Sequence, residues 1–231
     1  ALDLKQLALK NEPTITVNGK AVVGPFTMET AYFVRQGNEF VLETAEPSFV
    51  GKKRAGVSGP LDDIDRHPRV IVYGTQEPEQ TEENRMVAEH FAAFDTFAAR
   101  YPVKSDAEIT ETEINAGSVV LIGNAKSNRW TALFESSLPV KFEPAAITFR
   151  GKRYEGTNVG VSFIYPHPRN AQEYVVVHAG VGVTGTLASR HLPRFSPDFL
   201  VYDERLTAQR GGHLLDQRQV LEGGFFDLEW K

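Results

Sequence analysis

Three constellations in this sequence combine residue types and spacing that could do chemistry. Asp62, Asp63, Asp65 and His67 form its densest run of ionisable groups. Carboxylates beside an imidazole can ligate a divalent cation or exchange protons with a substrate, which would make a metal-dependent hydrolase. The same residues lie between Gly59-Pro60 and Pro68, where aspartates accept backbone N–H bonds and fix a turn, so the spacing also has a purely structural reading. Gly180-x-Gly182-x-x-Gly185 follows an apolar run that ends at His178 and precedes a helical stretch, with Asp203 downstream. That is the context of a dinucleotide-binding turn, and equally of a tight strand-to-helix reversal. His178-Ala179-Gly180 has a faint likeness to an oxyanion-hole turn, although a histidine closing a buried strand reads first as a satisfied structural group.

Nucleophilic chemistry finds less support. A hydrolase serine needs G-x-S-x-G on a strand-to-helix turn, because only that strained elbow exposes the hydroxyl to its base. Gly56-Val57-Ser58-Gly59-Pro60 ends in proline and precedes the strong strand, so Ser58 does not qualify. The chain has no cysteine, which excludes a thiol nucleophile, disulfides and thiolate metal sites. Neither H-x-H nor H-E-x-x-H occurs, so a zinc site has little support, and the leading reading assigns no metal and no cofactor.

Composition narrows the partners. Of 231 residues 41% are hydrophobic and 24% charged, with a formal net charge of −5, which suits a folded domain. Acidic and basic residues are interspersed, so there is no clustered positive potential for nucleic acid or an anionic membrane. No apolar run approaches the ~20 residues a bilayer requires. The chain opens with Ala1 rather than Met, which reads as a processed protein or a fragment.

The elements that must position these groups follow from periodicity. Residues 14–17 and 20–23 flank Asn18-Gly19, and residues 31–35 and 39–43 flank Gln36-Gly37-Asn38, two hairpins. Residues 51–54 form a basic, Gly-bearing connector. From Arg69 onward short apolar runs alternate with helical stretches. Strands are expected at 70–73, 118–122, 160–165, 173–178 and 199–203, and a hairpin at 147–154 turning on Gly151. Val87, Phe91, Phe94, Ala98 and Tyr101 recur at helical spacing over 81–101. Thr110 and Glu113 suit a capping box, Ser127 suits the cap of a helix carrying Trp130, Leu133 and Phe134, and a short helix fits 184–192.

These elements predict an α/β fold: a flavodoxin-like or Rossmann-like, mostly parallel sheet with helices on both faces, preceded by a small β-hairpin subdomain. The expected divisions are a β-rich piece over 1–54, the α/β domain over 55–206, and a tail over 207–231 whose aromatic end docks on the core. In such a sheet ligands collect at the carboxyl ends of the strands. That edge would carry Gly74, Thr75, Gly123, Asn124, Ser127, Gly180, Gly182 and Gly185, a candidate small-ligand or nucleotide site. Asp62, Asp63, His67 and His178 make a second candidate polar site.

Four stretches also resemble a known context: Gly59-Pro60-Leu61-Asp62-Asp63, Tyr165-Pro166-His167-Pro168-Arg169-Asn170 running into Tyr174-Val175-Val176-Val177, Pro197-Asp198-Phe199-Leu200-Val201-Tyr202-Asp203, and Gly224-Phe225-Phe226-Asp227 with Trp230. In type and order they are similar to the region that follows the hydrolase domain in large bacterial prolyl-oligopeptidase-like or esterase-like proteins. The resemblance spans nearly the whole chain but none of that family's nucleophile, acid or histidine segments. It departs at His167, where related text has Asn, and at His178-Ala179-Gly180, where it has Asn-Ser-Gly. The resemblance implies a non-catalytic accessory or interaction domain whose partner is a hydrolase domain in the same polypeptide.

Overall fold

The computed structural model describes residues 2–3, 14–22, 30–43, 45, 51–94, 99–193, 195–206 and 220–231. The chain divides into two compact units, Ala1–Val50 and Gly51–Lys231.

The first unit holds β1 (Leu2–Asp3), β2 (Ile15–Val17), β3 (Lys20–Val22), β4 (Thr30–Gln36) and β5 (Glu39–Glu43). Strands β2 and β3 pair antiparallel around Asn18 and Gly19, with φ of 51° and 78°. Positive φ at both central residues is what a two-residue hairpin demands, and Asn-Gly meets it at least cost. Strand β4 lies between β1 and β5 in an antiparallel sheet, with Val34 opposite Val41. Both expected hairpins are present.

The second unit runs β6 (Arg69–Tyr73), α1 (Thr81–Ala92), β7 (Ala93–Phe94), β8 (Ala99–Arg100), β9 (Val103–Ser105), α2 (Glu111–Ala116), β10 (Ser118–Ile122), α3 (Arg129–Phe134), β11 (Val140–Glu143), β12 (Ala146–Phe149), β13 (Lys152–Glu155), β14 (Gly160–His167), β15 (Asn170–Gly180), α4 (Val183–Ala188), β16 (Phe199–Tyr202) and β17 (Val220–Gly224). Seven of these strands form one sheet in the order β17-β16-β14-β15-β10-β6-β9. Strands β9, β6, β10 and β15 are parallel, with Val120 opposite both Ile71 and Val176. Strand β14 is antiparallel to β15 and to β16, and β17 is antiparallel to β16.

This corrects the flavodoxin-like or Rossmann-like expectation. Of the described residues 41% are strand and 24% helix, and the sheet is mixed. The physical reason is visible at β14 and β15. Their apolar runs are as continuous as those of parallel strands, because a central antiparallel strand is buried on both faces too. They are joined at Pro168 and Arg169, far too short for the dozen or more residues a parallel crossover requires.

Two smaller corrections concern helices. Helix α1 ends at Ala92, and the chain enters the β7–β8 hairpin instead of continuing to 101; positions 95–98 lie outside the described residues. Helix α3 is capped by Asn128 rather than Ser127. The capping box of Thr110 and Glu113 is formed as expected. The hairpin at 147–154 gains a third strand, β11.

The two faces of the sheet are covered differently. Ser162, His178 and Tyr202 project from one face, where His178 stacks on Phe91 of α1. On the other, Phe163 and Phe199 meet Phe149 of β12 at ring-centroid distances of 5.4 and 5.2 Å, and Phe226 joins them. Such ring pairs contribute about 0.5–1.5 kcal/mol each beyond area burial. Phe226 and Trp230 near the end of the chain are buried in this cluster. The polar, Gly-rich part of the tail, residues 207–219, lies outside the described residues.

Candidate functional site

The carboxyl ends of β6, β10 and β15 bring the expected strand-end residues together, and the chain itself fills the space between them. Asn124 donates from Nδ2 to the carbonyls of Gly180 (2.8 Å) and Val181 (3.0 Å), while its Oδ1 accepts from the backbone of Lys126 and Ser127. Asn128 donates to Val72 O and Ile122 O at 3.1 and 3.0 Å and accepts from the N–H groups of Trp130 and Thr131. These two asparagines therefore tie together the ends of three strands and the start of α3. Asp106 is fully buried beside them and accepts from Thr75 N, Thr75 Oγ1, Gln76 Nε2 and Arg129 N. A buried carboxylate with four donors is a satisfied structural group.

The glycines serve this close packing. A Cβ on Gly74 would lie 2.2 Å from Ser127 O, and one on Gly180 would lie 2.5 Å from both Gly182 O and Thr186 N. Gly185 approaches Val159 O in the same way, at 2.3 Å, and Gly123 faces the Ser127 hydroxyl with φ of 106°. A dinucleotide turn works by offering free N–H groups to phosphate. Here Gly180 N donates to Thr186 Oγ1, Val181 N to Val159 O and Gly182 N to Thr157 O. The helix that follows is only six residues long.

The second candidate cluster is dispersed rather than convergent. Leu61–Arg66 forms a 3-10 turn, and its carboxylates take separate partners. Asp62 accepts from Phe195 N, and Asp63 accepts from the Tyr174 hydroxyl at 2.6 Å and faces Arg66 at 3.3 Å. Asp65 pairs with Arg69. His67 lies between Glu173 Oε2 (3.1 Å, to Nδ1) and Gly56 O (3.0 Å, to Nε2). Among the described residues no group of three His, Asp or Glu side chains is arranged to hold a metal ion.

Tyr174 organises this edge. Besides donating to Asp63, its hydroxyl accepts the N–H groups of Ser58 (2.6 Å) and Gly59 (3.1 Å). Burial, reinforced by the bond to Asp63, pushes the phenol above its ordinary pKa, so it stays a donor. Next to it the buried Asp198 accepts from Lys53 and, at 2.8 Å, from Phe226 N. Its other oxygen packs against Gly59, where any Cβ would lie 2.0 Å away. The motif Gly59-Pro60-Leu61-Asp62-Asp63 is thus a clamp joining the 3-10 turn to β15 and to the chain end.

His178 belongs to neither cluster. Its Nδ1 is 2.7 Å from Ser162 Oγ, which is 2.8 Å from the Tyr202 hydroxyl, and the Phe91 ring stacks on the imidazole at 3.9 Å. Burial, and next to it the charge of His90, push this imidazole down to about 3, so it is neutral. A hydroxyl in contact with an imidazole is what nucleophilic catalysis needs, yet Ser162 and Tyr202 are wholly buried and His178 is 2% exposed. No reacting group can approach them.

Ser127 and Ser58 are no better placed as nucleophiles. Ser127 is fully buried under Gly123. Ser58 is exposed, and its Oγ donates within its own turn to Gly59 O at 3.3 Å. Sequence reasoning missed Asp106, Asn128, Tyr174, Ser162 and Lys53. The one available signal was Asn124 and Asn128 four residues apart around a helix start, a spacing that lets both side chains reach backbone. No family model, no curated protein and no solved structure matches the chain.

Proposed function

We propose that this chain is a non-catalytic accessory domain that works beside a serine-hydrolase domain in the same polypeptide. What carries the reading is how Asn124, Asn128 and Asp106 are partnered. At the strand ends, where this kind of sheet would place a ligand, Asn124, Asn128 and Asp106 are hydrogen-bonded on every side to the chain's own backbone and side chains. The resemblance of residues 59–63, 165–177, 197–203 and 224–230 to a post-catalytic region supplies the hydrolase context. Each of those stretches has a scaffold role here: a clamped turn, two central strands, a third strand of the same sheet, and a buried aromatic anchor.

The test is activity-based labelling of the purified chain with a serine-reactive fluorophosphonate, alongside turnover of p-nitrophenyl esters and prolyl peptides. The reading predicts no labelling and no turnover above a heat-unfolded control. Stoichiometric labelling of Ser58, Ser127 or Ser162 would overturn it.

A further inference from the structure

The connector that leads from residue 51 into the second unit is held by six contacts. Lys53 N–H bonds Leu228 O and its ammonium pairs with Asp198; the Arg54 guanidinium donates to Ala171 O; Gly56 O faces His67; Ser58 and Gly59 donate to Tyr174. Five of these contacts have a donor on one side and an acceptor on the other. The His67 contact does not. Both of its ring nitrogens face acceptors, Glu173 Oε2 at 3.1 Å and Gly56 O at 3.0 Å. A neutral imidazole has one N–H and one lone pair, so it satisfies one of these oxygens and sets a lone pair against the other. Only the doubly protonated ring donates to both.

We propose that His67 is a proton-operated latch on the turn around Gly56: protonated, it bridges Gly56 to β15, and deprotonated, it releases Gly56 O while the other contacts of residues 51–60 hold. The order of release follows from acceptor strength. A carboxylate outbids a carbonyl for the single remaining N–H, so the ring stays with Glu173 and Gly56 O is let go. Gly56 has φ of 81° in the turn closed by the reciprocal Arg54–Val57 backbone bonds, both 3.0 Å, and that turn loses its external brace.

From β15, around the His67 ring, come Glu173, which also accepts from Ser118 Oγ at 2.6 Å, and Tyr174, whose ring meets the imidazole edge-on at 4.8 Å. From the 3-10 turn come Asp63, facing Tyr174 and Arg66, and Asp65, paired with Arg69 of β6; from the connector comes Arg54, turned to Ala171 O. Among the described residues Glu173 is the carboxylate within hydrogen-bond reach of the ring.

The experiment is a pH titration of the intact chain with two readouts: ring ¹⁵N shifts of His67, and hydrogen exchange at the Arg54 and Val57 amides, corrected for intrinsic pH dependence. Both ring nitrogens should be protonated in the latched state, and loss of that proton should speed exchange at the two amides about fivefold, the effect of one net hydrogen bond. In His67→Gln the exchange should be independent of pH. The proposal fails if Arg54 and Val57 exchange equally on both sides of the His67 titration. It fails equally if the change persists in His67→Gln, which would place its origin elsewhere; the wild-type titration decides the matter even if that variant folds poorly.

Discussion

Replacing Asn128 by alanine removes four hydrogen bonds at the junction of β6, β10 and α3. Losing the helix cap costs about 1 kcal/mol. The two donated bonds add about 1 kcal/mol each and not the full penalty of an orphaned group, because Ile122 O, for one, keeps the Gly74 N–H. The expected loss is therefore about 3 kcal/mol, a large fraction of the ~5–15 kcal/mol that holds a domain together. Asn128→Asp separates the two roles. Aspartate caps a helix as well as asparagine does, but its second oxygen would face the carbonyls of Val72 and Ile122. If Asn128 is a three-way tie, the aspartate variant loses at least as much as the alanine variant. Urea unfolding followed by tryptophan fluorescence measures this within one unit, since both tryptophans, Trp130 and Trp230, lie beyond residue 50. Wild-type stability in Asn128→Asp would refute the tie and leave only a cap.

Three other perturbations probe the same scaffold. His178 is held neutral by burial down to about 3, so unfolding takes up a proton below the ordinary value of ~6.5; its stabilisation is complete above that pH and is lost progressively as pH falls toward 3. The loss amounts to about 2 kcal/mol between pH 6.5 and 5, and His178→Asn should flatten that part of the stability–pH curve relative to wild type. His167 and His191, also pushed down by burial, act in the same sense and remain in both proteins, so an unchanged slope in the variant would rule His178 out. Tyr174→Phe removes the Asp63, Ser58 and Gly59 bonds and should cost about 2–4 kcal/mol in urea unfolding. A double-mutant cycle with Asp63→Asn should show coupling of about 1 kcal/mol or more, and strict additivity would contradict the clamp. Gly180→Ala forces a Cβ onto two backbone atoms at 2.5 Å, whereas Gly151→Ala, with φ of 78°, meets nothing within 4 Å. The first should therefore lose about 3 kcal/mol and the second about 1 kcal/mol, by the same unfolding assay; equal losses would mean the strand ends are loosely packed.

What the sequence disclosed depended on how local its causes were. Asn18-Gly19 and the Thr110–Glu113 box are complete within four residues, and both formed as read. The strands of the large sheet were legible as apolar runs, but their direction was not, since burial on both faces erases the alternation that marks an antiparallel strand. The two-residue link at Pro168 and Arg169 was the overlooked clue. The end of α1 carried no breaker: helical spacing runs on past Ala92, and Pro102 is the next proline, so tertiary pairing of Ala93 with Arg100 ended the helix. At the strand ends the glycines were found and their reason was not. Their partners, such as Val159 O for Gly185 and Ser127 O for Gly74, lie 26 and 53 positions away. The Asp62–His67 run is a turn, but Asp63 and Asp65 take the side chains of Tyr174, Arg66 and Arg69 where backbone N–H partners were expected, Asp62 accepts the N–H of Phe195, and the partners Tyr174, Glu173 and Phe195 lie more than a hundred residues away.

The most direct test of a self-filled strand edge is the melting temperature of the chain with NAD, FMN, ATP or a phosphosugar at millimolar concentration. A group that binds the folded state raises stability by RT ln(1 + [L]/Kd), about 2.7 kcal/mol at a hundredfold excess over Kd. With Gly180, Val181 and Gly182 already donating to the protein, the account predicts an unchanged melting temperature across the panel. A rise of several degrees with any one of them, abolished in Gly180→Ala, would contradict it.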